Sequence, residues 1–308
     1  GCTAFNGDIS NWDVSKVTNM QYMFQSTSSF TRDINSWNIQ RVTSFEGFLY
    51  TSYSNPKLSN WNVSQTRNMN QLFDHAYSFD QNIIRWDVSS ATSMSYMFRN
   101  ADSFNYDLDA WDTSRVTSMY AMFNGADIFN GKIGSWDVSE VTNMGYMFYE
   151  TSAFNQPIGQ WDVSKATNMH YMFYSASVFN QPFGQWDVSK VTSLSHTFYK
   201  AFAFAQDLSI WTGSATETLQ TNMLSSATAF HAKYLCPDVS GGPLKWCVCK
   251  SECPASSPPP QLPKIVLTDA NIHSAIETCF YSNGGAHRTD GMCSSTEFGA
   301  MPDWDVSR

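Results

Sequence analysis

Apolar residues recur at fixed places in successive stretches of about 25 residues along most of this chain. Counted from a tryptophan at position 0, valine stands at +2, valine or alanine at +5, methionine at +8 and +11, and phenylalanine at +12 and +18. The tryptophans that mark the pattern are Trp12, Trp37, Trp61, Trp86, Trp111, Trp136, Trp161, Trp186 and Trp211. A fixed period of this length is the signature of a repeat array, and the recurring apolar positions are its predicted core.

Within one unit, the pattern predicts two short elements. Met144, Met147 and Phe148 are spaced i, i+3 and i+4, which indicates a helical turn, and Thr142 is placed as its N-cap. Residues 133–139 alternate around tryptophan and β-branched residues, which indicates a short strand. Because neither element buries its apolar face alone, we predict an α/β repeat solenoid of about nine stacked coils, each a short strand plus a helical turn. We name each coil by its tryptophan; those of Trp37 and Trp61 depart most from the pattern.

The composition changes after the last coil, and three segments are predicted. The repeat solenoid should span residues 1–232, a cysteine- and proline-rich linker residues 233–263, and a capping segment residues 264–308. Within the capping segment, apolar residues at helical spacing predict one helix. After that helix, Trp304-Asp305-Val306-Ser307 begins the repeat again.

An array followed by the start of another array predicts head-to-tail assembly. An open end of a coil stack exposes core residues and unpaired edge groups, which a second copy would cover. Such a contact is heterologous, so it would propagate into a filament unless it closed into a ring. The residues predicted at this assembly interface are Gly1, Cys2, Phe5, Trp12, Trp304, Val306 and Arg308. The alternative is that the chain is one register of a longer tandem polypeptide.

The units carry a resemblance to a known family. The unit from Phe154 to Phe173, with Trp161-Asp162-Val163-Ser164 at its centre, resembles the BspA-type leucine-rich-repeat family. More narrowly, it resembles the Trp-Asp-Val-Ser branch, described in Mycoplasma as a family of unknown function. The resemblance covers about residues 1–230 and resumes at the C-terminus. It implies a leucine-rich-repeat-like fold and extracellular, cell-surface or adhesive proteins without catalytic residues.

Charge and hydropathy exclude some partners. A formal net charge of −9 argues against a nucleic-acid partner, which requires a basic stripe. The sequence has no apolar run of about 18 residues, so no membrane span is predicted in this segment.

Cysteines are concentrated after the array, where six of the seven occur. Clustered cysteines with proline and serine between them are typical of disulfides in an oxidising, extracellular environment. The cysteines predicted to form disulfides are Cys236, Cys247, Cys249, Cys253, Cys279 and Cys293. A zinc site formed by the first four is the alternative, although their spacing lacks a double Cys-x2-Cys pattern. Asn62-Val63-Ser64 is an N-glycosylation sequon, which predicts a glycan on Asn62.

Tyrosines at +10 and +13 flank the predicted helical turn, and we call them the tyrosine stripe. They are Tyr22, Tyr96, Tyr146, Tyr149, Tyr171, Tyr174 and Tyr199. An exposed stripe of such rings is a candidate surface for binding a glycan or a surface protein. The alternative is that the rings only cover the methionine and phenylalanine core.

Aspartate recurs at +1, and two interpretations are open. A column of carboxylates is one way to build a calcium ladder. The favoured interpretation is an Asx turn that involves the serine at +3. The sequence contains no Gly-x-Ser-x-Gly elbow, phosphate loop or dinucleotide fingerprint, so we predict no enzyme activity, no catalytic residue, no metal site and no cofactor.

These observations lead to one function hypothesis and one alternative. The first is an extracellular structural repeat protein that assembles head-to-tail into a filament or surface stalk. The alternative is a cell-surface adhesin that binds a host protein or a glycan on the face of the solenoid.

Overall fold

The computed structural model describes residues 3–184, 186–208, 211, 221–235 and 248–249. The chain divides into two compact units, Gly1–Lys250 and Ser251–Arg308. The predicted capping segment and most of the predicted linker lie outside the described residues. The predicted segment boundaries at residues 232 and 263 therefore stay predictions.

Regular secondary structure is scarce in the part of the chain that is described. Helix α1 spans Thr228–Lys233, and strands β1, Tyr234–Leu235, and β2, Val248–Cys249, pair antiparallel. Between the repeat coils, only isolated parallel bridges form, all at position +7. The predicted α/β repeat solenoid, with one strand and one helical turn in each coil, is therefore wrong. The described coils consist of successive turns joined by short extended stretches.

Left-handed residues interrupt every segment that has helical spacing. In the coil of Trp136, Tyr146 at +10 and Glu150 at +14 have φ values of 58° and 55°. A left-handed non-glycine residue costs about 1–2 kcal/mol and cannot continue a right-handed helix. The segment therefore forms turns, such as the one in which the Met147 N–H donates to the Met144 carbonyl at 3.2 Å.

The remaining N–H groups of this segment join one coil to the next. In the coil of Trp136, the N–H groups at +8, +10, +12 and +14 donate to carbonyls of the following coil at 2.7–3.0 Å. One bond runs the other way, from the Thr167 N–H to the Thr142 carbonyl at 2.8 Å. The predicted N-cap role of Thr142 is wrong, because its hydroxyl donates to the Thr117 carbonyl of the preceding coil at 3.2 Å. Stacked turns thus satisfy the backbone groups that a helix would have paired internally.

The predicted core positions are buried in the internal coils. Met144, Met147, Phe148 and Phe154 are all 0% exposed, and the rings at +12 stack from coil to coil. Phe148 lies 5.5 Å from Phe173, centroid to centroid, with the ring planes 12° apart. Burial of this apolar surface is the main stabilising contribution to each coil.

The tryptophans stack in the same way and also pin neighbouring coils together. Trp136 and Trp161 lie 6.4 Å apart with planes at 4°. The Trp161 indole N–H donates to the Ile133 carbonyl of the preceding coil at 3.2 Å, and the same bond recurs for each tryptophan from Trp37 to Trp186. The indole N–H of Trp211 is buried without a partner among the described residues.

The coils of Trp37 and Trp61 have a different interior. In the coil of Trp37, Phe45 and Phe48 replace the methionines at +8 and +11, and both are fully buried; the coil of Trp61 keeps Met69 at +8 and has Leu72 at +11. Close to the place of the +18 phenylalanine, the hydroxyls of Thr27, Ser52 and Ser54 form a buried polar cluster with Oγ–Oγ distances of 3.2–3.3 Å. The hydroxyls of Ser52 and Ser54 also donate to the Thr27 carbonyl, so this buried cluster is hydrogen-bonded.

Candidate functional site

Five members of the tyrosine stripe lie together on one face of the coil stack. Tyr146 and Tyr171, both at +10, stack with centroids 4.7 Å apart and planes at 5°. At +13, Tyr149 stacks on Tyr174 at 4.6 Å, and Tyr174 stacks on Tyr199 at 4.8 Å. All five side chains are half-buried. They therefore cover part of the core and still reach solvent.

The stacking decides which part of each ring is available to a partner. Interior rings of the two rows have their faces against the neighbouring rings, with interplanar angles of 5°, 8° and 13°. A sugar stacks on the face of an aromatic ring, and those faces are already in use. What this surface offers is ring edges and phenol hydroxyls, which suit contacts with polar and peptide groups better than a stacked sugar.

Two histidines and a further tyrosine, not singled out from the sequence, extend this surface. His196 continues the +10 row by stacking on Tyr171 at 4.5 Å and 6°. His170 lies edge-on to Tyr146 at 4.8 Å. Gly145 provides the room for His170, because a Cβ at Gly145 would lie 3.0 Å from the imidazole ring. Tyr120 completes the group, 5.6 Å from Tyr146.

Burial shifts the pKa of several side chains of this aromatic surface. Burial lowers the pKa of the imidazoles of His170 and His196, so both favour the neutral form. Burial, reinforced by neighbouring tyrosines, raises the pKa of Tyr120 to about 12. Burial and then the nearby charge of Glu150 raise the pKa of Tyr149 to about 12. The phenols of Tyr120 and Tyr149 are therefore hydrogen-bonding groups rather than anions near neutral pH.

The other two members of the stripe have different surroundings. Tyr96 lies beneath the guanidinium of Arg99, 4.6 Å from its ring centroid, and next to Tyr120 at 5.2 Å. Tyr22 is 40% exposed, and its hydroxyl lies 3.0 Å from a carboxylate oxygen of Glu46. Tyr96 thus adjoins the aromatic surface through Tyr120, whereas Tyr22 belongs to the first coil.

A buried charge cluster near Tyr96 was missed by the sequence analysis. The Asp74 carboxylate is fully buried and receives two bonds from Arg99, each 2.8 Å long. Asp74 Oδ1 lies 2.6 Å from His75 Nδ1, and His75 Nε2 lies 2.8 Å from the Asn100 amide nitrogen. Burial acts to lower the pKa of Arg99, but the bonds and charge of Asp74 outweigh it and raise that pKa. The cluster is a buried carboxylate whose charge is paired with Arg99.

Comparison with known families identifies the repeat. The model of the family described as "Mycoplasma protein of unknown function, DUF285" matches residues 1–55, 47–156 and 128–235. The chain belongs to the DUF285 family. A comparison with curated proteins gives no match.

The other predicted sites of this DUF285 chain have varied outcomes. Asn62 is exposed, and its Oδ1 accepts a bond from the Ser64 N–H at 3.1 Å. Phe5 stacks on Phe30 at 5.9 Å, and Trp12 stacks on Trp37 at 6.4 Å. The remaining residues of the predicted assembly interface lie outside the described residues: Gly1, Cys2, Trp304, Val306 and Arg308. So do the side chains of all six cysteines predicted to form disulfides, which stay a prediction.

The aspartates at +1 form Asx turns in the DUF285 coils, as predicted. In the coil of Trp161, Asp162 Oδ1 accepts the Ser164 N–H at 3.0 Å, and Asp112 and Asp187 do the same. The Ser164 hydroxyl and then its N–H lower the pKa of Asp162 by hydrogen bonding. In the described part of the chain, no three His, Cys, Asp or Glu side chains come close enough to hold a metal ion. Nor is any helix there long and apolar enough to cross a membrane.

Proposed function

We propose that this protein is a structural repeat protein that assembles head-to-tail into a filament or stalk on a cell surface. The single observation that carries the proposal is the direction of the inter-coil bonds. At the contact between the coils of Trp136 and Trp161, four backbone N–H groups donate forward along the chain and one donates backward. The two ends of such a stack are therefore chemically different and complementary.

The end groups of the described stack supply the matching donors and acceptors. In the first coil, the carbonyls at +7, +9, +11 and +13 accept no bond from a described residue; they belong to Asn19, Gln21, Met23 and Gln25. In the last coil, the equivalent N–H groups of Asn222, Leu224 and Ser226 donate to no described residue. A copy placed end to end would pair these groups in the same direction as the internal coils, which is a heterologous contact.

Exposed apolar side chains support the same contact. Trp12 is 55% exposed and Met23 is 37% exposed, whereas the equivalent residues of internal coils are buried. Trp12, Val14 and Met20 line a shallow depression on this face. Covering this apolar surface would add to the free energy of association.

Electron microscopy and sedimentation of the full chain test the proposal. We expect filaments with a regular axial repeat and a sedimentation rate that rises with protein concentration. Trp12→Glu should abolish assembly while thermal unfolding stays cooperative, because the charge enters the proposed contact. Ile128→Glu is the matched control, since Ile128 is 47% exposed on the side of an internal coil. A protein that stays monomeric at all concentrations, or equal loss of assembly in both variants, would contradict the proposal.

The extracellular location and the absence of catalysis are part of this proposal. They are supported by the cysteine-rich segment after the array and by the lack of any enzyme motif in the sequence. A relationship to the BspA-type repeats is likewise proposed. It is supported only by the Trp-Asp-Val-Ser units of the sequence, because coils built from turns give no structural support for it.

The alternative function is an adhesin, and the aromatic surface favours it. The stripe members from Tyr146 to Tyr199 offer hydroxyls and ring edges over several coils, a composition enriched at protein interfaces. We propose a protein partner for this surface rather than a stacked glycan. Loss of cell binding in Tyr171→Ala, with binding retained in Tyr53→Ala, would favour the adhesin. Tyr53 is exposed away from the five-tyrosine group and serves as the control.

A further inference from the structure

We propose that Tyr149, Tyr174 and Tyr199, which we call the tyrosine column, are a site of oxidative cross-linking. Neighbouring rings would be joined ortho carbon to ortho carbon as dityrosine. The co-reactant is a one-electron oxidant of the class that a haem peroxidase generates from hydrogen peroxide. This inference is independent of head-to-tail assembly, because it rests on contacts within one chain.

The geometry brings three phenols into contact in sequence. The centroid distances are 4.6 Å between Tyr149 and Tyr174 and 4.8 Å between Tyr174 and Tyr199, with planes at 8° and 13°. The rings are half-buried, so each is held in place and still open to a small oxidant. Two radicals formed in this column need no diffusion to meet, and such preorganisation raises the effective concentration by orders of magnitude.

The backbone fixes the register of the column. The N–H that follows Tyr149, that of Glu150, donates to the Tyr174 carbonyl at 2.7 Å. The N–H that follows Tyr174, that of Ser175, donates to the Tyr199 carbonyl, also at 2.7 Å. An inter-coil backbone hydrogen bond therefore lies next to each ring contact and holds the two tyrosines in register. Coupling then requires the rings to tilt until their ortho carbons meet.

The reaction balances with hydrogen peroxide as the terminal oxidant. Each of two phenols loses one electron and its hydroxyl proton, which gives two phenoxyl radicals. The radicals form one carbon–carbon bond between ortho positions, and the two ortho hydrogens then move to the oxygens and restore both phenols. Overall, two electrons and two protons leave the tyrosine pair and reduce one hydrogen peroxide to two waters.

The column differs from the neighbouring +10 row in its length. Tyr146 and Tyr171 form one stacked pair, and the next ring in that row is His196, which cannot form dityrosine. Among the described tyrosines that stack face to face, the tyrosine column has three members, so two successive couplings would join the coils of Trp136, Trp161 and Trp186 covalently. A structural array would gain resistance to unfolding from such staples.

The experiment oxidises the dilute full-length protein with peroxidase and hydrogen peroxide and maps the products. Trypsin separates the column into peptides 133–165, 166–190 and 191–200, and the only tyrosine of the last peptide is Tyr199. We expect dityrosine fluorescence in the monomer and two cross-linked products, 133–165 with 166–190 and 166–190 with 191–200. Absence of the second product from the oxidised folded protein would overturn the proposal.

Variants separate the column from general tyrosine oxidation. Tyr174→Phe should eliminate the 166–190 to 191–200 product, because the middle phenol is lost while the ring stack is kept. Tyr106→Phe is the control and should leave that product unchanged, since Tyr106 is half-buried against Phe104. The urea-unfolded chain should give a mixture of tyrosine pairs. Persistence of the product in Tyr174→Phe, or an identical mixture from folded and unfolded protein, would contradict the proposal.

Discussion

The coils from Trp111 to Trp186 and the two coils of Trp37 and Trp61 share one backbone plan but have different interiors. In the first region, Phe123, Phe148 and Phe173 stack face to face with planes within 12°. In the second, Phe45 meets Phe48 edge-on at 88°. The coil of Trp37 also contains the buried hydroxyls of Ser52 and Ser54, and the coil of Trp61 contains the buried Asp74 carboxylate. The inter-coil N–H···O=C bonds continue through both regions. The backbone thus accepts an apolar or a polar interior, provided that each buried polar group is paired.

The largest effect is expected from breaking the face-to-face phenylalanine stack. Phe148→Ala should lower the free energy of unfolding by about 3–5 kcal/mol, because it removes a fully buried ring and leaves a cavity between two others. Urea unfolding measures the change. The control is Phe202→Ala, a side chain that is 48% exposed and should change stability by about 0.5 kcal/mol or less. Similar losses in the two variants would mean that stacking does not dominate the stability of the regular coils.

A comparable loss of stability is expected when the buried ion pair between Asp74 and Arg99 is broken. Asp74→Ala should cost about 3–5 kcal/mol, because Arg99 would remain largely buried without its carboxylate. Thermal or urea unfolding provides the measurement. Asp107→Ala is the control: its ion pair with Lys132 is exposed and should contribute about 0–1 kcal/mol. If Asp74→Ala and Asp107→Ala were equally stable, the polar interior would not depend on pairing.

The smallest effect concerns the turns at +1, where the regions differ in charge. Asp162 has a lowered pKa in the folded state, so its carboxylate stabilises the fold above its unfolded pKa of about 3.9, and this contribution is lost as the pH falls through the folded value. Asn62 makes the same turn with a neutral amide. Asp162→Asn should therefore reduce the loss of stability as the pH falls below about 4, as measured by urea unfolding at each pH.

The reciprocal exchange is the control for this prediction. Asn62→Asp should introduce an acid-dependent loss of stability at a position that has none, because the new carboxylate would accept the same Ser64 N–H. An unchanged pH profile in both variants would show that these turns contribute nothing to acid stability.

The period and the core could be predicted from the sequence, whereas the backbone conformation could not. Burial depends on which side chains recur, so Met144, Met147 and Phe148 were assigned correctly to the core. Turns produce the same spacing of buried residues as a helix. Left-handed residues distinguish the two, but these include Tyr146 and Glu150, which are residue types that do not predict a left-handed conformation. Only Gly47 and Gly125, at the equivalent positions of other coils, indicate it.

The candidate site was predicted in part for a similar reason. The tyrosines of the stripe recur in register, so their common face could be inferred before the structure. Asp74 and Arg99 each occur once at +13, in successive coils, where the other coils have tyrosine, glutamine, asparagine or leucine. A residue that occurs only once at a repeat position gives no periodic signal. The stacking of successive coils brings the Arg99 guanidinium to 2.8 Å from the Asp74 carboxylate.

The direction of the inter-coil bonds also gives the array a net dipole along its axis. Each peptide group carries a dipole, and at the Trp136–Trp161 contact four backbone bonds point one way against one that points back. In the described stack, most bonded carbonyl oxygens, which carry partial negative charge, therefore point back toward the first coil, and most donating N–H groups, which carry partial positive charge, point forward along the chain. Stacks joined end to end attract one another only when their axes agree, whereas stacks lying side by side attract when their axes oppose. The proposed fibre would therefore be polar along its length, and such fibres would bundle with alternating directions.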